Sequence, residues 1–208
     1  MTEVSYLNNI KNLIPFVERN VLHNLFSWNE LESLINLRPF INDARLHISS
    51  NKKYEWISAG WLTDINSYPP TLLNEEIKKY VCYIRDCSRV NKTINDFCKT
   101  IEEHCNWPTD AHIFFSYKEA HTDLKGLGMH KDKQHNLIVC VDGTMQAKVW
   151  SKNDNEEPII DTILNKSDVV YIPAETYHQI IPLTKRISIS FPMAPYDKTF
   201  QERDWIKL

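Results

Sequence analysis

The sequence predicts a mainly β fold with added helices, and three observations carry that prediction. Between residues 111 and 193, short runs rich in β-branched and aromatic residues follow one another at close intervals. Turn residues punctuate them: Asp142 with Gly143, then Asn153 to Asn155, then Asn165 to Ser167. Before residue 111 the apolar residues fall instead at mixed helical and strand intervals. Many short strands at such spacing indicate a sandwich or a barrel. The 208 residues suit one domain: a mixed helix and strand part over 1–110, a barrel core over 111–193 and a C-terminal tail over 194–208.

Taken in order, residues 5–26 predict a helix from their apolar spacing. Ser27, with Glu30 three residues later, fits the N-cap and capping box of a second helix that starts at Trp28 and ends near Asn36, before Pro39. Residues 54–63 and 80–86 read as strands. Asn91 or Thr93 can cap a helix through about Cys105, with Ile94, Phe97, Cys98 and Ile101 on one face. Strands are then expected over 111–117, 136–141, 145–150, 159–164, 168–172, 178–182 and 186–191. The N-terminal helices could pack on the barrel, shape a cleft or form a homodimer interface.

Composition excludes several classes. Apolar residues make up 42% and charged residues 25%, ordinary values for a soluble globular protein. A net charge of −3 provides no global attraction to nucleic acid or to an anionic membrane. Lys118, Lys125, Lys131 and Lys133 cluster, but Glu119 and Asp123 lie among them, as in a solvated loop. No apolar stretch approaches the roughly 20 residues that span a bilayer, and the first residues lack the pattern of a signal peptide. The five cysteines are odd in number and match no zinc spacing. They read as reduced thiols, and the expected location is cytoplasmic.

The motif with most chemical content is His130, Lys131, Asp132, with His178 far downstream. Residues i and i+2 of an extended segment point to one side. His130 and Asp132 can therefore reach one ion from one segment, while His178, after the strand-like run 168–172, supplies a third ligand. Two histidines and one carboxylate on one face of a divalent metal leave positions open for substrate, cosubstrate and O2, the arrangement of non-heme Fe(II) oxygenases. His135 has the wrong parity for a fourth ligand and reads as solvent-facing. His112 and His121 have no partner pattern. Tyr177 reads as packing, and Trp107 and Trp150 as core or rim aromatics.

The stretch from Ala111 to Met193 resembles the cupin-like, Jumonji-type (JmjC) branch of the Fe(II)- and 2-oxoglutarate-dependent oxygenases. The residues that carry the resemblance are Gly128 to Asp132, Asn136 to Val139, Asp142 with Gly143, Lys148 to Trp150, Asp168 to Pro173, His178, and Arg186 to Phe191. The resemblance implies a double-stranded β-helix, or jelly-roll barrel, with helices packed outside. It implies Fe(II) on His130, Asp132 and His178, with 2-oxoglutarate and O2 as cosubstrates and succinate as a product. It also matches Asn136 to an Asn that contacts 2-oxoglutarate near the metal; a polar strand start is the other reading of that residue.

One position departs from the pattern. Where many relatives carry the Lys or Arg that binds the distal carboxylate of 2-oxoglutarate, this chain has Met145. A two-residue hairpin turn at Asp142 and Gly143 would pair Val141 with Thr144 and Cys140 with Met145. Met145, Ala147 and Val149 would then face the site and Lys148 would face away. Arg186 with Ser188 offers a replacement, because some 2-oxoglutarate oxygenases use an Arg-x-Ser pair on the strand after the last histidine. The guanidinium fork suits a carboxylate. Plain alternation, with Arg186, Ser188 and Ser190 in water, is the other reading.

The expected function is therefore an oxygenase that hydroxylates a protein side chain or a small molecule. Two other classes remain: a cupin-type metal protein, isomerase or dioxygenase that does not use 2-oxoglutarate, which Met145 favours, and an interaction scaffold, which the intact triad disfavours. Dependence on 2-oxoglutarate separates the first two, and metal content separates both from the third.

Overall fold

The computed structural model describes residues 5–35, 46–49, 56–58, 75, 77–78, 81–117, 128–151 and 157–195; for 46–49 and 56–58 it describes the backbone. The elements run in the order of a 3-10 helix (Ser5–Asn12), β1 (Phe16–Glu18), α1 (Trp28–Ile35), β2 (Leu46–Ser49), β3 (Trp56–Ser58), β4 (Cys82–Ile84) and α2 (Lys92–Cys105). Then follow β5 (His112–Ser116), β6 (His135–Asp142), β7 (Met145–Val149), β8 (Ile160–Leu164), β9 (Val169–Ile172), β10 (His178–Pro182) and β11 (Arg186–Met193). Eight strands form a major sheet in the order β1-β9-β6-β11-β5-β4-β2-β3, and three form a minor sheet, β10-β7-β8. All described pairings are antiparallel. The fold is mainly β, the jelly-roll barrel with added helices that the sequence predicts.

The core has two compartments. Between the sheets lie Ile138, Cys140, Met145, Ala147, Val149, Leu164, Val170 and Ile172. On the other face of the major sheet, Leu137, Val139, Ile187, Ile189 and Phe191 pack against Leu31 and Leu34 of α1 and Ile94, Phe97 and Ile101 of α2. Both faces of β6, β9 and β11 are therefore buried; β6 and β9 read as near-continuous apolar runs, while β11 alternates, with Arg186, Ser188 and Ser190 on its interior face. In the minor sheet β7 alternates. On β7, Met145, Ala147 and Val149 are buried while Gln146 and Lys148 are half-buried, and Lys148 reaches Asp161 of β8 at 3.2 Å.

The helices follow their caps. Ser27 Oγ accepts from Glu30 N at 3.3 Å and donates to the Glu30 carboxylate at 2.6 Å. Asn91 Oδ1 accepts from Ile94 N at 2.8 Å, which starts α2, and Asn106 ends it in the left-handed region. The predicted face of α2 is the buried one. Phe97 meets Phe191 edge-on at 5.0 Å between ring centroids.

Two expectations are corrected. Residues 5–26 do not form one helix. A 3-10 helix ends at Asn12, Leu13 takes φ 56°, and β1 begins at Phe16. Pro15 lacks the N–H that helix propagation needs and disfavours helical backbone at Ile14, while Phe16 stacks on Tyr171 of β9 at 5.3 Å. Nor do β6 and β7 form a hairpin. β6 pairs with β9 and β11, and β7 pairs with β8 and β10. Asp142 to Thr144 is the corner where the chain leaves one sheet for the other. Met145, Ala147 and Val149 still face Ile138 and Cys140, now across the barrel interior rather than along a shared sheet. Strand β2 was not anticipated. Of the expected strand over 54–63, residues 56–58 are described and form β3; the remainder, like the loop cations Lys118 and Lys125 and His121, lies outside the described residues.

The corner demands glycine. Gly143 has φ +77°, and a Cβ placed there would lie 2.1 Å from Lys185 O and 2.8 Å from Thr184 Oγ1. Thr144 N donates to Thr184 Oγ1 at 2.9 Å, so the opposing segment is tied in place. Gly143→Ala should lower unfolding free energy by about 3 kcal/mol or more, read as a shifted midpoint in urea denaturation; a midpoint equal to wild type would show that the corner relaxes freely.

Candidate metal centre and anion pocket

His130 and His178 are joined by an isolated antiparallel bridge. His130 N donates to His178 O at 3.0 Å and His178 N to His130 O at 2.8 Å. The bridge sets the first ligand segment against the start of β10, with the imidazole centroids 4.3 Å apart. Asp132 comes in from the same segment as His130. Its backbone carbonyl accepts from Glu175 N at 2.7 Å, and Lys131 ion-pairs with Glu175 at 2.7 Å, so the turn before β10 is fastened to the loop that carries Asp132.

The three side chains offer ligand atoms all within 4.8 Å of one another. His130 Nε2 lies 3.8 Å and His178 Nε2 3.5 Å from the two Asp132 carboxylate oxygens. Atoms that each bind a first-row divalent ion at about 2.1 Å can share it when they lie within about 4.2 Å. Both imidazoles turn Nδ1 to a backbone carbonyl, His130 to Gly128 O and His178 to Thr176 O, each at 3.0 Å. A ring that donates from Nδ1 keeps the Nε2 lone pair for a metal. Burial, with the adjacent His130, lowers the pKa of His178 and so favours the neutral form that a ligand requires. The donor set fits a divalent transition metal.

Asn136 is committed within this group. Its Nδ2 donates to Asp132 Oδ2 at 2.7 Å, and its Oδ1 accepts from Ser190 Oγ at 2.9 Å. This Ser190, Asn136, Asp132 chain crosses from β11 to the ligand loop, and it was not anticipated from sequence. Ser190 differs from any other strand serine only through its register opposite Ile138.

The triad opens into a cavity of about 220 Å3 that is also lined by Tyr83, His112, Phe114, Asn136, Ile180, Arg186 and Ser188. Arg186 is 2% exposed and Ser188 1% exposed, so the solvent-facing reading of that strand face does not hold. Arg186 Nη1 approaches Ser188 Oγ and lies 3.7 Å from Met145 Sδ. The guanidinium of β11 thus lies beside Met145, the position where the resemblance expects a cation. Burial lowers the guanidinium pKa to about 10, which still leaves it charged at neutral pH. Its Nε has no hydrogen-bond partner among the described residues.

His135 is corrected in burial. It is 9% exposed rather than solvent-facing, lying against Trp107 at 4.8 Å and Tyr171 at 6.2 Å. Its Nδ1 accepts from Ala174 N at 3.1 Å and lies 3.0 Å from Tyr171 Oη. It takes no part in the triad, and Trp107 is its packing partner. Tyr177 lies under Lys131 Nζ at 5.7 Å. His112 faces the cavity from β5. All five cysteines are buried thiols outside any disulfide, and no helix among the described residues is long and apolar enough to cross a membrane.

Two outcomes follow from this geometry. Asp132→Ala removes the one charged donor and should reduce bound Co(II) or Fe(II) from about one per chain to near none, measured by equilibrium dialysis; retained metal would place the ion elsewhere. His135 is held below the ordinary imidazole value of 6.5 by burial. A base with a depressed folded pKa refuses a proton that the unfolded chain accepts, so stability falls as pH drops below about 6.5. His135→Asn, which keeps an acceptor for Ala174 N, should flatten that acid limb in denaturation curves collected across pH; an unchanged slope would remove His135 as its source.

The JmjC domain family model matches residues 89–200, more than half of the chain. Among solved structures, YcfD, a ribosomal oxygenase from Escherichia coli in complex with cobalt and 2-oxoglutarate, superposes with a TM-score of 0.68 at 17% identity, over 96% of this chain and 54% of that one. A second structure of the same protein, with cobalt and succinic acid, gives a TM-score of 0.66 at 16% identity, over 96% of this chain and 54% of that one. At this identity the likeness is one of fold, and the chain spans about half the length of these relatives. No curated protein matches the sequence. With the match spanning His130, Asp132, Asn136, His178, Arg186 and Ser188, the chain belongs to the JmjC domain family.

Proposed function

We propose that this chain is an Fe(II)- and 2-oxoglutarate-dependent oxygenase that hydroxylates a protein side chain or a small molecule. The observation that carries the reading is one cavity lined at once by a metal-fitting triad and a buried, incompletely bonded guanidinium. A metal alone would suit many cupin-type proteins, and fold does not fix function. A buried cation beside it calls for an anionic ligand, and 2-oxoglutarate carries one carboxylate for each end.

His130, Asp132 and His178 would hold the iron. Iron bound there supplies O2 activation coupled to the oxidative decarboxylation of 2-oxoglutarate to succinate and CO2. Asn136 orients the Asp132 carboxylate and lines the cavity next to the keto-acid end of the cosubstrate. Arg186 and Ser188 bind the distal carboxylate and so fix the reach of the ligand from the metal. Ile138 and Ile180 wall the cavity with hydrocarbon, which keeps water from the reacting groups. No side chain need act as an acid or base.

Met145 favours the competing reading, a cupin-type metal protein without 2-oxoglutarate. The approach of Arg186 to Met145 Sδ counters it. The test is an anaerobic titration of the Fe(II)-loaded protein with 2-oxoglutarate, followed through the weak visible charge-transfer band of the chelate. A band in wild type that is lost or weakened at least tenfold in Arg186→Met is the expected result. Iron binding without a band would sink the oxygenase reading. Because an incompletely bonded buried charge costs stability, the ligand-free Arg186→Met chain should melt no lower than wild type. A clear drop in its melting temperature would make Arg186 a structural residue instead.

A further inference from the structure

Arg186 is the first residue of β11, and on the side of β6 the pairing begins one residue later, at Ile187. A buried charge gains free energy by returning to water, so a strand end that carries one must be held from elsewhere. The hold comes from the opposite face. Successive residues of an extended segment point to opposite sides, so Lys185 projects away from the cavity that Arg186 enters. Lys185 Nζ lies 4.0 Å from the ring centroid of Trp28 and 5.2 Å from that of Tyr117, and the two ring centroids are 5.0 Å apart. The ammonium is therefore attracted by two aromatic rings at once.

The indole of Trp28 makes a further contact, donating from Nε1 to Asp142 Oδ2 at 2.7 Å. Tyr117 follows β5, Asp142 ends β6 and Lys185 precedes β11, and β6, β11 and β5 are neighbours in the major sheet. One side chain, from the first residue of α1, thus touches three adjacent strand ends at the level of Arg186. The register shift between Ile187 and Ser188 lies at the same level, and a bulge of that kind decides which side chains turn inward.

We infer that Trp28 is a positioning residue: by clasping Lys185 and Asp142 it holds the start of β11 so that Arg186 reaches into the cavity. The inference rests on the proposed oxygenase reading. It makes the seating of α1 on the sheet a determinant of how tightly the cosubstrate is gripped, although no α1 residue is among those that line the cavity. The clasp acts on the guanidinium alone. The metal triad is set by the bridge between His130 and His178, which Trp28 does not touch.

The experiment titrates Mn(II)-loaded wild type, Trp28→Phe, Lys185→Met and Lys185→Arg with 2-oxoglutarate and, separately, with 2-oxopentanoate, which has the same carbon chain and no distal carboxylate. Binding is read by calorimetry, with a melting curve on each variant. Lys185→Met keeps the stem and loses the cation, and should weaken 2-oxoglutarate about fivefold, the fold-change of one cation–π contact. Trp28→Phe loses the bond to Asp142 and should weaken it by a similar factor. Both should leave Mn(II) and 2-oxopentanoate affinity unchanged. Lys185→Arg keeps a cation over the rings and should restore the affinity; the two Lys185 variants carry the test if Trp28→Phe does not fold. In an Arg186→Met background, Lys185→Met should have no further effect, because the residue it acts through is gone. Wild-type affinity in Lys185→Met and Trp28→Phe, an equal loss for both keto acids, or an undiminished effect in the Arg186→Met background overturns the inference and leaves the oxygenase reading standing. Failure of wild type to bind 2-oxoglutarate at all overturns that reading itself.

Discussion

The bridge between His130 and His178 is the contact on which the site depends. Two backbone hydrogen bonds hold the ligand loop against the first residue of β10, so the imidazoles approach because the main chains are paired. Backbone pairing is a stiff way to place a ligand: it fixes the Cα positions and leaves only side-chain torsions to adjust. Those torsions are set in turn by Gly128 O and Thr176 O, which take the Nδ1 side of each ring. Asp132 is steadied from both directions, by Glu175 N on its backbone carbonyl and by Asn136 on its carboxylate. The geometry is therefore preorganised by the chain itself.

The other end of the cavity works by a different principle. There the protein buries a guanidinium and leaves part of its hydrogen-bonding capacity unmet. Such a group lowers the stability of the ligand-free fold, and an anion entering the cavity regains what was lost. On the proposed reading, selectivity would arise from the same feature, since a ligand without the matching charge would leave the donors stranded. Met145 and Arg186 face the same interior volume from opposite sheets, and the long guanidinium side chain spans the gap.

The corner at Gly143 connects these two ends. By carrying the chain from the major to the minor sheet it makes β6 and β7 opposing walls of one barrel. The register between β6 and β11 shifts at Ile187 and Ser188, next to that corner. Ile187 then stands opposite Asp142, which turns outward to accept from Trp28 Nε1 at 2.7 Å, while Ser188 stands opposite Cys140 on the interior side. A bulge of this kind re-aims side chains without ending the strand.

Local chemistry made much of this chain legible from its residues. The caps at Ser27 and Asn91, the buried face of α2, the strand-rich second half and the i, i+2 spacing of His130 and Asp132 are all short-range features. Each is fixed by hydrogen bonds or periodicity within a few residues. The path of 5–26 was misread because buried residues such as Leu7, Ile10, Leu22 and Leu25 mimic helical spacing while Pro15 and the pairing of β1 with β9 decide the backbone. The true partner strands of β6 were not legible, because which strands pair is a long-range choice between similar apolar runs. Nor could alternation reveal whether Arg186, Ser188 and Ser190 face inward, because helices cover the far side of β11 and bury both faces alike. By itself the sequence determined the strand-rich second half, the capped helices and which three residues were the candidate ligands. Only the tertiary structure decided where the buried cation lies and which polar groups lack a partner, since burial belongs to the packed layers and to no single segment.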